Sequence, residues 1–246
     1  MSDQRAINWR AETLRVTLFR HGGDDALGAV WQNIVGRAPE VDENRARDRI
    51  RREQGPCGSG LLEVVTNPIR IDIRILPLPQ ESPGIMLLGD TAETEIRSIG
   101  ALIEPWLADI TATVALTRIA FAGVLIFPVE DLLSSYRELA RLLPTVQIDA
   151  EHTRDLLYRV NRVKDGAYGF TYNRMTTWSS LILKRFMMNP SLGMPASFVN
   201  DYFIRFEFDN NTPAEHAEPL NPADIVPIFS DLVGMALENS VRGDRP

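Results

Sequence analysis

The residues best suited to catalysis or metal binding are few and scattered in this chain of 246 residues. Its three histidines, His21, His152 and His216, lie far apart, and none has another histidine or a cysteine two to four positions later. Metal sites built from one short segment need such spacing, because several ligands must reach the same ion. We therefore expect no metal site, and we expect structural or surface roles for the histidines.

The single cysteine, Cys57, lies in the flexible sequence Gly-Pro-Cys-Gly-Ser-Gly. A nucleophilic thiol needs a lowered pKa and a nearby base, and no histidine is close in the sequence to provide one. We expect an exposed thiol without a catalytic role. One cysteine also excludes an internal disulfide and fits a reducing compartment.

Two glycine-containing stretches were candidates for phosphate binding. His21-Gly22-Gly23 connects a predicted strand to a predicted helix, but Asp24 and Asp25 follow directly, where an anion would bind. Gly58-Ser59-Gly60 precedes a strand, which is the wrong context. Paired acids such as Glu130 and Asp131 fall at predicted helix starts, where capping explains them. The sequence therefore predicts no cofactor and no catalytic residue.

The most regular pattern in the chain is the alternation of isoleucine and charge over residues 68–77. Strand side chains point alternately to opposite faces, so this segment is predicted to form a strand with one apolar and one charged face. The apolar positions are Ile69, Ile71, Ile73 and Ile75, and the charged positions are Arg70, Asp72 and Arg74. Helices should cover the isoleucines, while the charged side chains should face water or a partner.

The same reasoning applied to the other predicted strands gives a candidate binding face. Its members are polar or charged residues expected on the uncovered side of a sheet: Arg15, Arg70, Asp72, Arg74, Lys184, Arg185, Arg205 and Glu207. An ordinary solvated surface is the alternative interpretation of this face.

The order of predicted elements gives an α+β fold made of two tandem β-α-β-β-β-α units. We expect the first unit over 7–111, with a long mobile loop at 38–60, and the second over 112–242. Residues 1–6 are expected to be a flexible N-terminus and 243–246 a tail. Consecutive strands cannot run parallel without long crossovers, so the sheet should be mostly antiparallel and curved, with helices on one face.

This element order resembles the duplicated, saddle-shaped fold of TATA-box-binding-protein-like domains. The resemblance implies an open sheet face, covers most of the chain and comes with no sequence motif. It therefore implies nothing about function.

Composition narrows the range of partners. The formal charge of −7 argues against indiscriminate binding to nucleic acid or anionic membranes. Residues 201–246 contain nine acids and three bases, so a locally basic face elsewhere is compatible with the total. No apolar run is long enough to cross a bilayer and no export signal is evident, so we expect a cytoplasmic protein without a membrane partner.

The sequence leads to three functional hypotheses. The first is a non-catalytic binding or scaffold subunit of a bacterial intracellular multi-protein complex, such as an antiviral defence or accessory system. It would contact a protein partner through the sheet face, the 38–60 segment or the acidic C-terminal region, and it leaves oligomerisation open. The second is a nucleic-acid-binding module that uses Arg70, Arg74, Lys184, Arg185 and Arg205. The third is an enzyme whose site is assembled from dispersed residues.

Overall fold

The computed structural model describes residues 7–22, 28–79, 84–187, 197–216 and 218–242. Within these ranges the chain is an α+β protein with four helices and ten strands, and all the strands belong to one open, antiparallel sheet. The α+β class and the large antiparallel sheet are thus confirmed. The predicted N-terminal segment 1–6 and tail 243–246 lie outside the described residues.

Two runs of four consecutive strands lie between helices along the chain. The strands are β1 (Arg10–Arg20), β2 (Val41–Arg45), β3 (Ile50–Cys57), β4 (Gly60–Asn67), β5 (Arg70–Pro77), β6 (Leu116–Val129), β7 (Leu157–Asn161), β8 (Lys164–Asp165), β9 (Thr171–Met187) and β10 (Ser197–Asn211). The helices are α1 (Val30–Val35), α2 (Ala92–Ile110), α3 (Leu132–Leu142) and α4 (Pro222–Arg242).

The strand order across the sheet is β2-β3-β4-β5-β1-β6-β10-β9-β7, with β8 paired to β9 outside this path. β1 and β6 therefore lie side by side at the centre. β1 also pairs with β5, and β6 also pairs with β10. Strands that are far apart in the sequence are thus brought together in the middle of the sheet.

Two expectations about the first half of the chain need correction. Residues 38–60 were expected as a loop, but β2 and β3 lie there and pair with each other. As a result, four strands rather than three separate α1 from α2. Ile69 was expected in the core, but it precedes β5 and its side chain is 68% exposed. The other three isoleucines are buried as predicted.

One hydrophobic core joins the helices to the sheet. Strand positions such as Leu14, Val16, Ile73 and Phe121 are fully buried together with apolar residues of all four helices. We call this side of the sheet the core face and the opposite side the open face. Since neighbouring strand residues alternate between the two faces, the register of the sheet determines which side chains share the open face.

Aromatic packing and caps fix several of these elements. The rings of Trp178 on β9 and Phe206 on β10 stack with centroids 4.1 Å apart. Trp9, just before β1, donates its indole N–H to the carbonyl of Ser240 at 2.9 Å and so connects the first strand to α4. Helix α3 begins where the Asp131 carboxylate accepts a hydrogen bond from the Ser134 amide at 2.7 Å.

No helix within the described ranges is both long enough and apolar enough to cross a membrane.

Candidate functional site

Near the centre of the open face, the neighbouring strands β1 and β5 carry charged side chains. In the register of β1 with β5, Arg15 lies opposite Arg74 and Thr17 lies opposite Asp72. On its other side, Arg15 lies opposite the small Ala122 of β6. On the open face, long arginine side chains on β1 and β5 therefore lie next to a small alanine on β6, which leaves space above the sheet.

A cavity of about 1170 Å³ lies over this region. Its charged lining comes from Glu12, Arg15, Arg74, Arg159, Arg205, Glu207 and Asp209. Its apolar lining includes Leu61, Leu76, Pro77, Pro79, Ile85, Met86, Val124, Leu157 and Met175. Small-molecule sites in proteins commonly occupy about 300–1,000 Å³, so this space is large enough for a ligand.

The structure brings together four of the eight residues predicted for the binding face. Arg15, Arg74, Arg205 and Glu207 come from β1, β5 and β10, and all four line the cavity. They lie far apart in the sequence but only a few strands apart in the sheet.

Arg70 and Asp72 do not join this group. They form an ion pair, with 2.7 Å between Arg70 Nε and an Asp72 carboxylate oxygen. The hydroxyl of Thr17 also donates to Asp72 at 2.7 Å. Asp72 was expected to face water or a partner, but these neighbours bury it to 2% exposure. Its carboxylate is therefore already satisfied within the chain.

Lys184 and Arg185 are adjacent residues near the end of β9, so strand alternation places their side chains on opposite faces of the sheet. Arg185 lies on the same side as Arg205 and forms an ion pair with Asp201. This pairing raises the pKa of Arg185 and lowers the pKa of Asp201. The prediction that Lys184 shares a face with Arg205 needs correction, because adjacent strand residues cannot point the same way.

The cavity arginines differ in how fully they are neutralised. Arg205 pairs with Glu207 and lies 3.7 Å from a Glu12 carboxylate oxygen. Arg74 lies 3.5 Å from Glu63, but the same carboxylate accepts a 2.6 Å hydrogen bond from Arg52. One carboxylate is thus shared between two guanidinium groups.

Arg15 and Arg159 have no carboxylate partner among the described residues. The one side-chain hydrogen bond of Arg159 found there is 3.8 Å long and goes to the sulfur of Met175. Arg15 makes no hydrogen bond or ion pair within the described ranges, although its side chain is half-buried. Arg15 from β1 and Arg159 from β7 therefore each bring to the cavity a guanidinium without a carboxylate partner among the described residues.

Sequence reasoning missed several lining residues for identifiable reasons. The pairing of β1 with β6 shifts between Ala11 and Thr13, so Glu12 joins the open face at an irregularity that no local pattern reveals. Leu157 is an apolar residue on an edge strand and is 68% exposed, although it lines the cavity. Three strands separate Leu157 on β7 from Arg15 on β1, and only the assembled sheet shows that both line one cavity.

The described lining of the cavity contains no histidine or cysteine. Cys57 was expected to be exposed, but it is partly buried at the end of β3, and burial raises the pKa of its thiol. His152 contacts the Asp149 carboxylate at 2.9 Å, but both side chains are largely exposed and outside the cavity. Within the described residues, no group of three or more potential ligands could hold a metal ion. The described lining of the cavity is made of charged, apolar and small residues.

A second feature is a two-stranded ribbon that extends beyond the rest of the sheet. The last pair between β10 and β6 joins Tyr202 to Val129, and β7 pairs with β9 only as far as Ser179. Residues 183–187 and 197–201 therefore pair with each other alone among the described strands. We call these two segments the ribbon.

Large apolar side chains are exposed on and next to the ribbon. Phe198 is 71% exposed, and Ile182 at the base of the ribbon is 40% exposed. The strand register places both on the same side as Lys184. An isolated two-stranded hairpin is marginally stable in water, so an extended ribbon with exposed apolar groups is a candidate contact surface.

Comparison with known protein families finds no match to this chain, and comparison with curated proteins finds none either.

Proposed function

We propose that this protein is a non-catalytic binding subunit that docks a partner protein through the ribbon. The exposed apolar group formed by Ile182 and Phe198 is the observation that carries this proposal. Burial of such side chains is the main favourable contribution to protein association, and aromatic residues are enriched at interface centres.

The chemistry of the ribbon specifies the partner surface. Lys184 lies between Ile182 and Phe198 on the same face and has no acidic partner among the described residues. A complementary surface would offer an apolar centre and a nearby carboxylate. A bacterial multi-protein complex of an accessory or antiviral defence type remains the setting that we infer for this contact.

The pairing of the open-face arginines favours a protein partner over nucleic acid. Arg70, Arg74, Arg185 and Arg205 each have a carboxylate within 4 Å or hydrogen-bonded to them. Phosphate binding would have to displace these carboxylates, which reduces the gain from each contact.

The tandem architecture belongs to the same proposal. We infer two related units, over 7–111 and 112–242, that join through β1 and β6 into a saddle similar to TATA-box-binding-protein-like domains. The strand order supports this inference. Each half begins with a central strand, β1 or β6, that pairs with the last strand of its own half, β5 or β10.

A capture experiment with matched variants tests the docking proposal. The tagged wild type should retain a partner protein that is lost from the Ile182→Ser/Phe198→Ser double variant. Ile69→Ser is the control, because Ile69 is exposed to a similar extent but lies away from the ribbon. We expect each docking substitution to weaken binding by about 1–3 kcal/mol. Hydrogen exchange should show added protection at 183–187 and 197–201 when the partner is bound.

Equal capture by the wild type and the double variant would contradict the proposal. A salt titration with DNA and RNA separates it from the nucleic-acid alternative, because phosphate contacts produce a steep decrease in affinity with salt. Nucleic-acid binding whose affinity decreases steeply with salt, and which is lost on substitution of Arg74 and Arg205, would favour that alternative.

A further inference from the structure

The cavity on the open face is lined by charged residues that play no part in docking at the ribbon. Two of its acids, Glu12 and Glu207, form ion pairs with Arg205. Asp209 also lines the cavity and accepts a hydrogen bond from the side-chain amide of Asn211 at 2.8 Å. Around Arg15 and Arg74, the described residues provide the shared carboxylate of Glu63 beside Arg74. Asp209 lies in the same cross-strand row as Arg15, with Ala122 between them, and does not pair with it.

Arg15 and Arg74 form a cross-strand pair of like charges. They are directly opposite in the register of β1 and β5, where side chains of an antiparallel pair lie about 5 Å apart at Cβ. Like charges in this arrangement destabilise a sheet. An anion held between them would offset that repulsion, and a guanidinium fork matches the geometry of a carboxylate or phosphate group.

The rest of the cavity lining is suited to an apolar group. Leu157 and Met86 are exposed although both line the cavity. Leu76 and Val124 continue this apolar surface across the strands on either side of β1. A ligand that covered Leu76 and Val124, on the strands next to β1, would remove apolar area from water at the same time as it neutralised Arg15.

We propose that this cavity is a binding site for an organic anion, in which Arg15 binds a carboxylate or phosphate group and the apolar lining holds the attached hydrocarbon or aromatic body. The two oxyanions share the same recognition chemistry. The site is separate from the ribbon and does not depend on the docking of a partner.

Calorimetric titration of the full chain with four probes tests this site. Octanoate and octyl phosphate carry both features, octanol lacks the anion, and inorganic phosphate lacks the apolar body. At least one of the first two should bind about tenfold more tightly than octanol and inorganic phosphate. Binding of only one of them identifies which oxyanion the site takes.

Substitutions locate the site. Arg15→Gln should weaken binding of the amphipathic anion by about tenfold or more, and Arg15→Lys should have a smaller effect because it keeps the charge but loses the fork. Arg97→Gln is the control, since Arg97 pairs with Glu93 on α2 outside the cavity. Cooperative urea transitions with midpoints no lower than that of the wild type would show that the Arg15 variants fold normally, since loss of the like-charge pair in Arg15→Gln is expected to raise the midpoint.

Three results would overturn the proposal: no binding of either amphipathic anion at millimolar concentration, octanol binding as tightly as octanoate and octyl phosphate, or wild-type affinity in Arg15→Gln. Capture of a partner protein through the ribbon has no bearing on any of these results.

Discussion

Glu53 is a carboxylate on the core face of the sheet and is fully buried. One of its oxygens accepts a hydrogen bond from the Trp31 amide at 3.2 Å, and the other lies 3.4 Å from Arg51. Burial nevertheless raises the pKa of Glu53 above its ordinary value of 4.5. The loss of hydration therefore outweighs the two favourable contacts.

This raised pKa predicts a pH-dependent stability difference for Glu53→Gln. A carboxyl group whose pKa is higher in the folded state contributes most to stability below pH 4.5, and that contribution is lost as pH rises through the folded-state pKa. Gln does not titrate. The free energy of unfolding of the variant minus that of the wild type should therefore become more positive from about pH 4 to about pH 7.

Urea titrations followed by tryptophan fluorescence measure this difference. Glu43→Gln is the control, because it makes the same substitution on the exposed strand β2. A difference that stays constant across the pH range would mean that burial of Glu53 does not perturb its ionisation.

At the scale of elements, Gly123 allows β6 to pack between its two neighbours. It pairs with Leu14 on β1 and with Phe208 on β10. A Cβ atom at this position would lie 2.7 Å from side-chain atoms of both residues, which is much closer than normal contact. Since both neighbours belong to the packed core, neither can move away freely.

Gly123→Ala should therefore lower the free energy of unfolding by about 1–3 kcal/mol, the usual cost of overpacking a core. Gly234→Ala on α4 is the matched control. No heavy atom lies within 4 Å of the Cβ position there, so alanine should stabilise the helix by about 0.5–1 kcal/mol. Urea unfolding of both variants gives the comparison, and equal effects would show that the space around Gly123 can adjust.

Local patterns predicted some elements well and others poorly. The alternation in β5 identifies both the strand and its buried face, because a two-residue period is visible within the segment itself. β2 and β3 were missed because their charged sequence has no such alternation, and their pairing depends on β4 as the next strand. Glu53 is buried among these charges, and burial of one acid in a charged segment has no local signal.

The cavity could not be predicted for a related reason. Arg15, Arg74 and Arg205 were each assigned to an uncovered sheet face, but their proximity depends on strand order. Glu12 reaches the open face because the register of β1 with β6 shifts beside it. Asp72 is buried because it pairs with side chains on its own and a neighbouring strand. Both effects arise only when the strands are assembled.

At the scale of the whole molecule, the two halves of the chain share one core. The long register of β1 with β6 crosses the boundary between them. Ser230 on α4 donates a hydrogen bond to Glu104 on α2 at 2.9 Å, and Trp9 bonds to Ser240. Separation of the halves would expose the central strand edges and part of the core.

We therefore expect fragments 7–111 and 112–242 to lack cooperative unfolding when each is prepared alone. An equimolar mixture should regain the circular dichroism spectrum and the urea transition of the intact chain, because the β1–β6 contact can form between fragments. Cooperative unfolding of either isolated fragment would show that the halves are independent folding units.

The two outer strands of the sheet, β2 and β7, differ in how readily they could pair with a strand of another molecule. Every side chain of β2 is exposed, and Asp42, Glu43 and Arg45 give this outer strand charge of both signs. Pairing of β2 with another molecule would bring like charges together and remove charged groups from water. Both effects oppose the addition of strands at this end of the sheet. The opposite end, β7, presents the exposed Leu157 instead. Aggregation by strand addition should therefore begin at β7, and Leu157→Lys should suppress it.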